Sequence, residues 1–323
     1  MKPHYEGLVG DVGGTQARFA LVDAQGHIRN PRSFPAREYA SLADVIAEYL
    51  EQTAGRRRPL RAVIAVAGPV LDGEIEFTNL DWQISEGDLL AHFEFEAIKL
   101  MNDFAAQALA CPLLEPDDLR VLGPRLKPGS DCPMVVLGAG TGFGVAGLAR
   151  GERGDQAVAT EGGHAAFAPF DEIETEIWKR LKVRYGRVSI ERLLSGPGLF
   201  DLYRTLAEIE GANIQLPDDK AVIEQATVGT DRLAGLAADR FCAILGGVAG
   251  DLALTFGARG GVFVSGGLAP RLADRLAASA FRERFEDKGR LSPYVRQIPT
   301  SLVLHPYPAI VGAARELSQM ERL

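Results

Sequence analysis

Asn102-Asp103 places a carboxamide and a carboxylate side by side, where a strand-like run over 97–101 gives way to Phe104-Ala105-Ala106-Gln107-Ala108-Leu109. Open α/β sheets bind ligands at the C-terminal ends of their strands. A carboxylate there can accept the proton of a hydroxyl as that hydroxyl attacks a phosphoryl group. Asp103 could equally cap the helix that begins at Phe104. Glu161-Gly162-Gly163-His164 sets a carboxylate and an imidazole on a glycine-interrupted segment, a pairing suited to the hydroxyls of a polyol. Glu-x-x-His can also be a metal pair on a helix face, but the two glycines argue against a helix and no cysteine cluster is nearby. Glu191, in Ser189-Ile190-Glu191-Arg192, suits either the first turn of a helix or the same polyol. Asn79, in Thr78-Asn79-Leu80-Asp81-Trp82, is a further candidate of that kind.

Three glycine turns could hold the other reactant. Gly10-Asp11-Val12-Gly13-Gly14-Thr15 and Gly138-Ala139-Gly140-Thr141-Gly142 each lie between two strand-like runs. Such turns present backbone N–H groups to phosphate oxygens, although glycine also fills ordinary hairpins. Asp11 would repel a polyphosphate unless Mg²⁺ stood between them; otherwise it is a turn former. Gly266-Gly267, after Val264-Ser265, allows a base or ribose to lie over bare backbone, or is a plain β–α turn. No G-x-x-x-x-G-K-[ST] occurs. Gly142 to Gly147 matches G-x-G-x-x-G, but strand-like alternation follows where a dinucleotide site needs a helix. With 36 glycines in 323 residues, the chain exceeds average usage by about 13. We read that excess as backbone cleared for ligands.

The elements that must carry these residues follow from periodicity and caps. Strands are expected at 7–11, 17–23 and 28–35. A helix follows at about 41–51, with Ser41 as cap and Leu42, Val45, Ile46, Tyr49 and Leu50 on one face. Then come a buried strand at 61–67, a helix capped by Ser85, a strand at 97–101 and a helix from Phe104, the order βββαβαβα. After a break at 112–127 the opening device returns: strand 134–137, glycine turn, strand 145–149. Helices dominate 172–256, followed by strands at 262–264 and 301–304 and a closing helix at 308–320. Domains are expected at 1–113 plus 303–323 and at 114–302.

Composition narrows the function. Lys and Arg number 35 against 43 Asp and Glu, a net charge of −8, which argues against a nucleic-acid partner. No apolar run is expected to reach the ~18–20 residues of a membrane span, and the first residues carry no signal-peptide pattern. Three cysteines without paired spacing form neither a disulfide framework nor a zinc pattern, so a cytoplasmic protein acting on a small molecule is expected.

Together Gly10–Thr15, Leu100-Met101-Asn102-Asp103-Phe104, Gly138–Gly142, Glu161–His164, Glu191-Arg192-Leu193-Leu194-Ser195-Gly196-Pro197-Gly198 and Ser265-Gly266-Gly267 resemble, in order and spacing, the bacterial glucokinases of the hexokinase and actin-like ATPase superfamily. The resemblance runs over essentially the whole chain. It implies two α/β domains of actin-like ATPase (ribonuclease H-like) fold, with mixed sheets flanked by helices and a ligand cleft between them. It implies ATP and Mg²⁺, with ATP phosphates at Gly10, Asp11, Val12, Gly13, Gly14, Thr15, Gly140, Thr141 and Gly142, the adenosine near Gly266 and Gly267, and Mg²⁺ near Asp11, directly or through water. It implies Asp103 as base toward the 6-hydroxyl of D-glucose, with Asn102, Glu161, His164, Glu191 and Asn79 on glucose hydroxyls, and a homodimer. Related zinc-bearing kinases and repressors carry a cysteine-rich loop soon after the Glu161–His164 segment. Residues 167–182 hold no cysteine, and the chain opens on a strand rather than a helical DNA-binding domain, so the zinc-free branch is expected. The alternatives are a kinase for mannose, fructose or an N-acetylhexosamine, a sugar sensor without catalysis, and a filament-forming ATPase.

Overall fold

The computed structural model describes residues 5–54, 58–77, 80, 82–152 and 154–320. It divides into one unit of Met1–Leu114, Asp155–Ala159 and His305–Leu323 and another of Glu115–Gly154 and Thr160–Leu304. The candidate Asn79 lies outside the described residues.

The first unit is built on β1 (Tyr5–Val12), β2 (Gln16–Asp23), β3 (Ile28–Pro35), β4 (Arg61–Val66) and β7 (Ala97–Asn102), with a small hairpin of β5 (Glu74–Glu76) and β6 (Gln83–Ser85). The main sheet has the order β3-β2-β1-β4-β7. β1 pairs antiparallel with β2 and parallel with β4, which pairs parallel with β7. The apolar run Ala62–Val66 is fully buried, as a strand in the middle of a parallel array must be. Helix α1 (Leu42–Thr53) starts where Ser41 Oγ accepts the Asp44 N–H at 3.2 Å, and its five expected apolar residues are all buried. Helices α2 (Glu86–Phe93) and α3 (Asp103–Ala110) follow. Ser85 caps α2 as expected.

The second unit repeats the device. After β8 (Leu119–Val121), strands β9 (Met134–Ala139) and β10 (Phe143–Ala149) form an antiparallel hairpin, and β11 (Gln156–Thr160) comes next in sequence. Helices α4 (Glu172–Tyr185), α5 (Gly196–Glu210), α6 (Asp219–Val228) and α7 (Arg232–Phe256) precede β12 (Gly261–Ser265). Short helices α8 (Ala273–Ala278), α9 (Phe281–Glu286) and α10 (Ser292–Val295) lead to β13 (Thr300–Val303). β9 pairs parallel with β12 and β12 with β13, which closes antiparallel on β8. The chain then ends in α11 (Pro308–Met320) of the first unit.

Two expectations change. Helix α7 is 25 residues long and apolar enough to cross a membrane by length and composition, contrary to the sequence reading, but 72 % of its apolar window is buried. Phe241, Cys242, Ile244 and Leu245 sit in the core of the second unit, so α7 is a core helix, and Asp239, Arg240 and Asp251 break its apolar run in the sequence. The helix after β7 begins at Asp103, one residue early, and its cap is Asn102: the Asn102 Oδ1 accepts the Ala105 N–H at 3.0 Å.

Candidate active site

In the first unit, strand register gathers the candidates at one edge. Val12 stands opposite Val66 and Val66 opposite Asn102, so β1, β4 and β7 end level with one another. At the usual strand spacing this puts the first glycine turn about 10 Å from Asn102. The chain crosses between them in hydrogen-bonded steps. Ala67 N–H donates to Val12 O at 3.0 Å, and the Asn102 Nδ2 donates to Gly68 O at 3.2 Å.

Asn102 thus has its carboxamide committed on both sides. Its oxygen caps α3, while Nδ2 reaches Gly68 and also Asp103 Oδ1 at 3.2 Å. Asp103 Oδ1 further accepts the Phe104 N–H at 3.0 Å. The Asp103 carboxylate is therefore oriented by a neighbouring side chain and by the first turn of its own helix, whose dipole favours negative charge there. It is partly buried, open enough to meet a small molecule.

The first glycine turn is closed by Gly13 N–H on Gln16 O at 2.9 Å. Val12 is fully buried and lends only its backbone, whereas Thr15 is exposed. Gly10 is a packing glycine: a Cβ there would stand 2.9 Å from both Phe19 and Ile64 side chains. Asp11 faces Arg18 directly across the hairpin, Oδ2 to Nη1 at 3.1 Å. Burial raises the Asp11 pKa above the ordinary carboxylate value, and Arg18 pulls against that shift. Arg18 was not among the sequence candidates, although an opposite-charge cross-strand pair follows once the hairpin register is known.

The second unit assembles its candidates around the Gly138–Phe143 turn. Gly140 N–H closes the turn on Gly142 O at 2.8 Å, and Gly140 O accepts the N–H of Gly196, the first residue of α5, at 2.8 Å. Gly138 lies against Ser265 and Gly266, where a Cβ would overlap the Ser265 carbonyl. Gly266 has φ +85°, and a Cβ there would come within 2.5 Å of Ala139 O. The second and third glycine turns are thus packed backbone to backbone. Leu268 N–H bonding Ala139 O at 3.0 Å fastens them together.

Glu161 and His164 reach the same turn by a different route. Gly162–His164 is a single 3₁₀ turn, so the segment is not an α-helix. Gly163 presses on Phe143, whose carbonyl a Cβ at 163 would overlap. Ile190 N–H bonds Ala165 O at 2.9 Å, and Phe167 N–H bonds Val188 O at 3.1 Å. That short ladder brings the Ile190–Arg192 turn close to the Gly162–His164 turn. Glu191 itself sits in a 3₁₀ turn (Ile190–Arg192) rather than an α-helix, and its Oε2 accepts the Phe143 N–H at 2.8 Å. Glu161 Oε2 and His164 Nε2 are 3.9 Å apart, with side chains 55 % and 60 % exposed. Two carboxylates and an imidazole on neighbouring turns can bond several hydroxyls.

Among the described residues no group of three His, Cys, Asp or Glu side chains could hold a metal ion. A single carboxylate such as Asp11 beside a glycine turn with backbone N–H groups would nevertheless suit Mg²⁺, which keeps several waters and takes other ligands from substrate phosphates.

A family model described as Glucokinase matches residues 8–320. The glucokinase of Caulobacter sp. (strain K31) is 51 % identical over 311 residues, 95 % of this chain and 94 % of that protein. The crystal structure of a glucokinase from an Antarctic psychrotroph has a TM-score of 0.87 and 36 % identity, covering 97 % of this chain and 98 % of that one. A ROK family glucokinase from Streptomyces griseus, solved with glucose and AMPPNP, shares the fold at TM-score 0.66 and 19 % identity, over 97 % of this chain and 99 % of that one. The architecture is the α/β actin-like ATPase fold, with mixed sheets flanked by helices.

Proposed function

Because the chain belongs to the glucokinase family and catalyses its reaction, phosphorylation of D-glucose by ATP to glucose 6-phosphate, we propose the following roles for its residues. Asp103 takes the proton of the glucose 6-hydroxyl as that oxygen attacks the γ-phosphorus. The bond from the γ-phosphorus to the β–γ bridging oxygen breaks, and ADP leaves. The observation that carries this assignment is the Asp103 carboxylate held at the C-terminal end of β7 by Asn102 Nδ2 and Phe104 N–H. A carboxylate fixed in this way loses little freedom on meeting its substrate.

Glu161, His164 and Glu191 bind glucose hydroxyls, a reading supported by the Glu161–His164 pair and by the backbone ladder that joins their segment to that of Glu191. Asn102 acts on the sugar too, chiefly by aiming Asp103; Asn79 is proposed for the same sugar. The turns at Gly10–Thr15 and Gly140–Gly142 bind the ATP phosphates, and Gly266-Gly267 the nucleoside. Asp11 would hold Mg²⁺, directly or through water, and the ion when bound offsets phosphate charge. The three cysteines are all free, which suits a cytoplasmic enzyme. We further propose a homodimer, which light scattering tests.

The deciding experiment is a panel of glucose, mannose, fructose and N-acetylglucosamine with ATP and Mg²⁺ in a coupled ADP assay. Glucose should give the highest kcat/KM by a wide margin, because a site that pairs each hydroxyl rejects sugars in which one pairing fails. Preference for another hexose would reassign the substrate. Sugar binding without ADP release would make the protein a sensor.

A further inference from the structure

One segment of the second unit grips the Gly140–Phe143 turn at both ends. At one end Gly196 N–H bonds Gly140 O at 2.8 Å. At the other the Glu191 carboxylate accepts the Phe143 N–H at 2.8 Å. The grip is itself braced, since Ser195 Oγ donates to Glu191 O and accepts the Gly198 N–H, at 2.8 and 3.0 Å. Glu191 also lies along the turn as well as at its end: a Cβ on Gly142 would stand 2.5 Å from Glu191 Oε2. A turn of glycines has little side-chain packing to hold its shape. A charge-assisted bond from an N–H to a carboxylate is a strong one, and the backbone that carries this carboxylate is fixed by Ser195, so Glu191 is the side chain best placed to fix it.

We propose that Glu191 is a positioning residue of this turn, and that through it sugar binding and nucleotide binding are coupled within the second unit. The inference rests on the proposed roles of Gly140–Gly142 in phosphate binding and of Glu191 in glucose binding, and deepens them. A glucose hydroxyl donating to the carboxylate holds the same side-chain conformation that secures Phe143 N–H. Glucose therefore favours the nucleotide-ready turn, and by reciprocity the nucleotide favours glucose.

The test is the dissociation constant of ADP with Mg²⁺, measured by calorimetry with and without glucose. Without sugar, Glu191→Ala should weaken ADP binding about 10-fold, the worth of a hydrogen bond to a charged group, and glucose should no longer tighten it. Glu191→Gln, whose amide oxygen still accepts from Phe143 N–H, should recover most of the affinity. Glu161→Ala removes a sugar contact that has no bond to the turn, and should raise the glucose KM while leaving sugar-free ADP binding unchanged. Should the alanine variant fail to fold, Glu191→Asp withdraws the carboxylate by one methylene and should weaken ADP binding several-fold. Sugar-free ADP affinity equal to the parent's in the folded Ala or Asp variant overturns the inference, whatever happens to the glucose KM. Failure of the unaltered enzyme to bind ADP would overturn the nucleotide reading beneath it.

Discussion

Gly312 in the second turn of α11 lies against the Ala106 carbonyl of α3, so closely that a Cβ at position 312 would overlap that oxygen. Asp103 is the first residue of α3. The position of the proposed base is therefore set by a glycine at the far end of the chain, through a helix crossing that only glycine permits. Ala105, Ala106, Ala108 and Ala110 of α3 are all small and buried.

Substitution of Gly312 by alanine should push the two helices apart. Overpacking of this kind costs about 1–3 kcal/mol, readable as a lower urea midpoint. Because α3 carries Asp103, kcat should fall even at saturating substrate. A variant as stable and as fast as the parent would show that the crossing does not locate Asp103.

Asn102 does two jobs that a pair of variants separates. Asn102→Ala loses the cap on Ala105 N–H and should cost about 1 kcal/mol of stability. Asn102→Asp keeps an oxygen for the cap but loses the Nδ2 bonds to Gly68 O and Asp103 Oδ1. It should stay within about 1 kcal/mol of the parent yet lose about 10–100-fold in kcat through misplacement of Asp103. Parallel loss of stability and kcat in both variants would reduce Asn102 to a helix cap.

Asp11 gives a pH signature. Its pKa is raised by burial, against the pull of Arg18, so the folded protein holds this proton more tightly than the unfolded chain does. Asp11 then favours folding most below the unfolded carboxylate pKa, and that contribution declines as pH rises through the folded value. Asp11→Asn cannot ionise. Its stability relative to the parent should therefore improve from about pH 4 to pH 7, while its activity with ATP and Mg²⁺ drops. Melting temperatures at the two pH values check this; a stability difference that ignores pH would contradict it.

What could be read beforehand was whatever is written locally. The apolar run of β4, the caps Ser41 and Ser85, and the limits of β3 and α11 all follow from period and cap residues. The cap of α3 did not, because Asn102 and Asp103 are adjacent and either side chain can cap. Hairpin β5–β6 and strand β8 escaped because three residues are too few to show a period. The glycine turns read as backbone cleared for ligands, but at Gly10, Gly138 and Gly163 it is the protein's own side chains and backbone that fill the space, as they do at Gly312, which carries no such reading in sequence. The bond between Glu191 and Phe143 joins residues 48 apart in the chain and became visible only when the segment 188–190 was seen paired with 165–167.

Asp103 is the proposed base. The most direct measurement is kcat of Asp103→Asn with glucose, ATP and Mg²⁺ in the coupled ADP assay, beside its glucose dissociation constant. Asparagine preserves the acceptor oxygen for Phe104 N–H but takes up no proton. Glucose affinity should stay within a few-fold of the parent while kcat falls by about 10²–10⁴-fold. A kcat near that of the parent would contradict it.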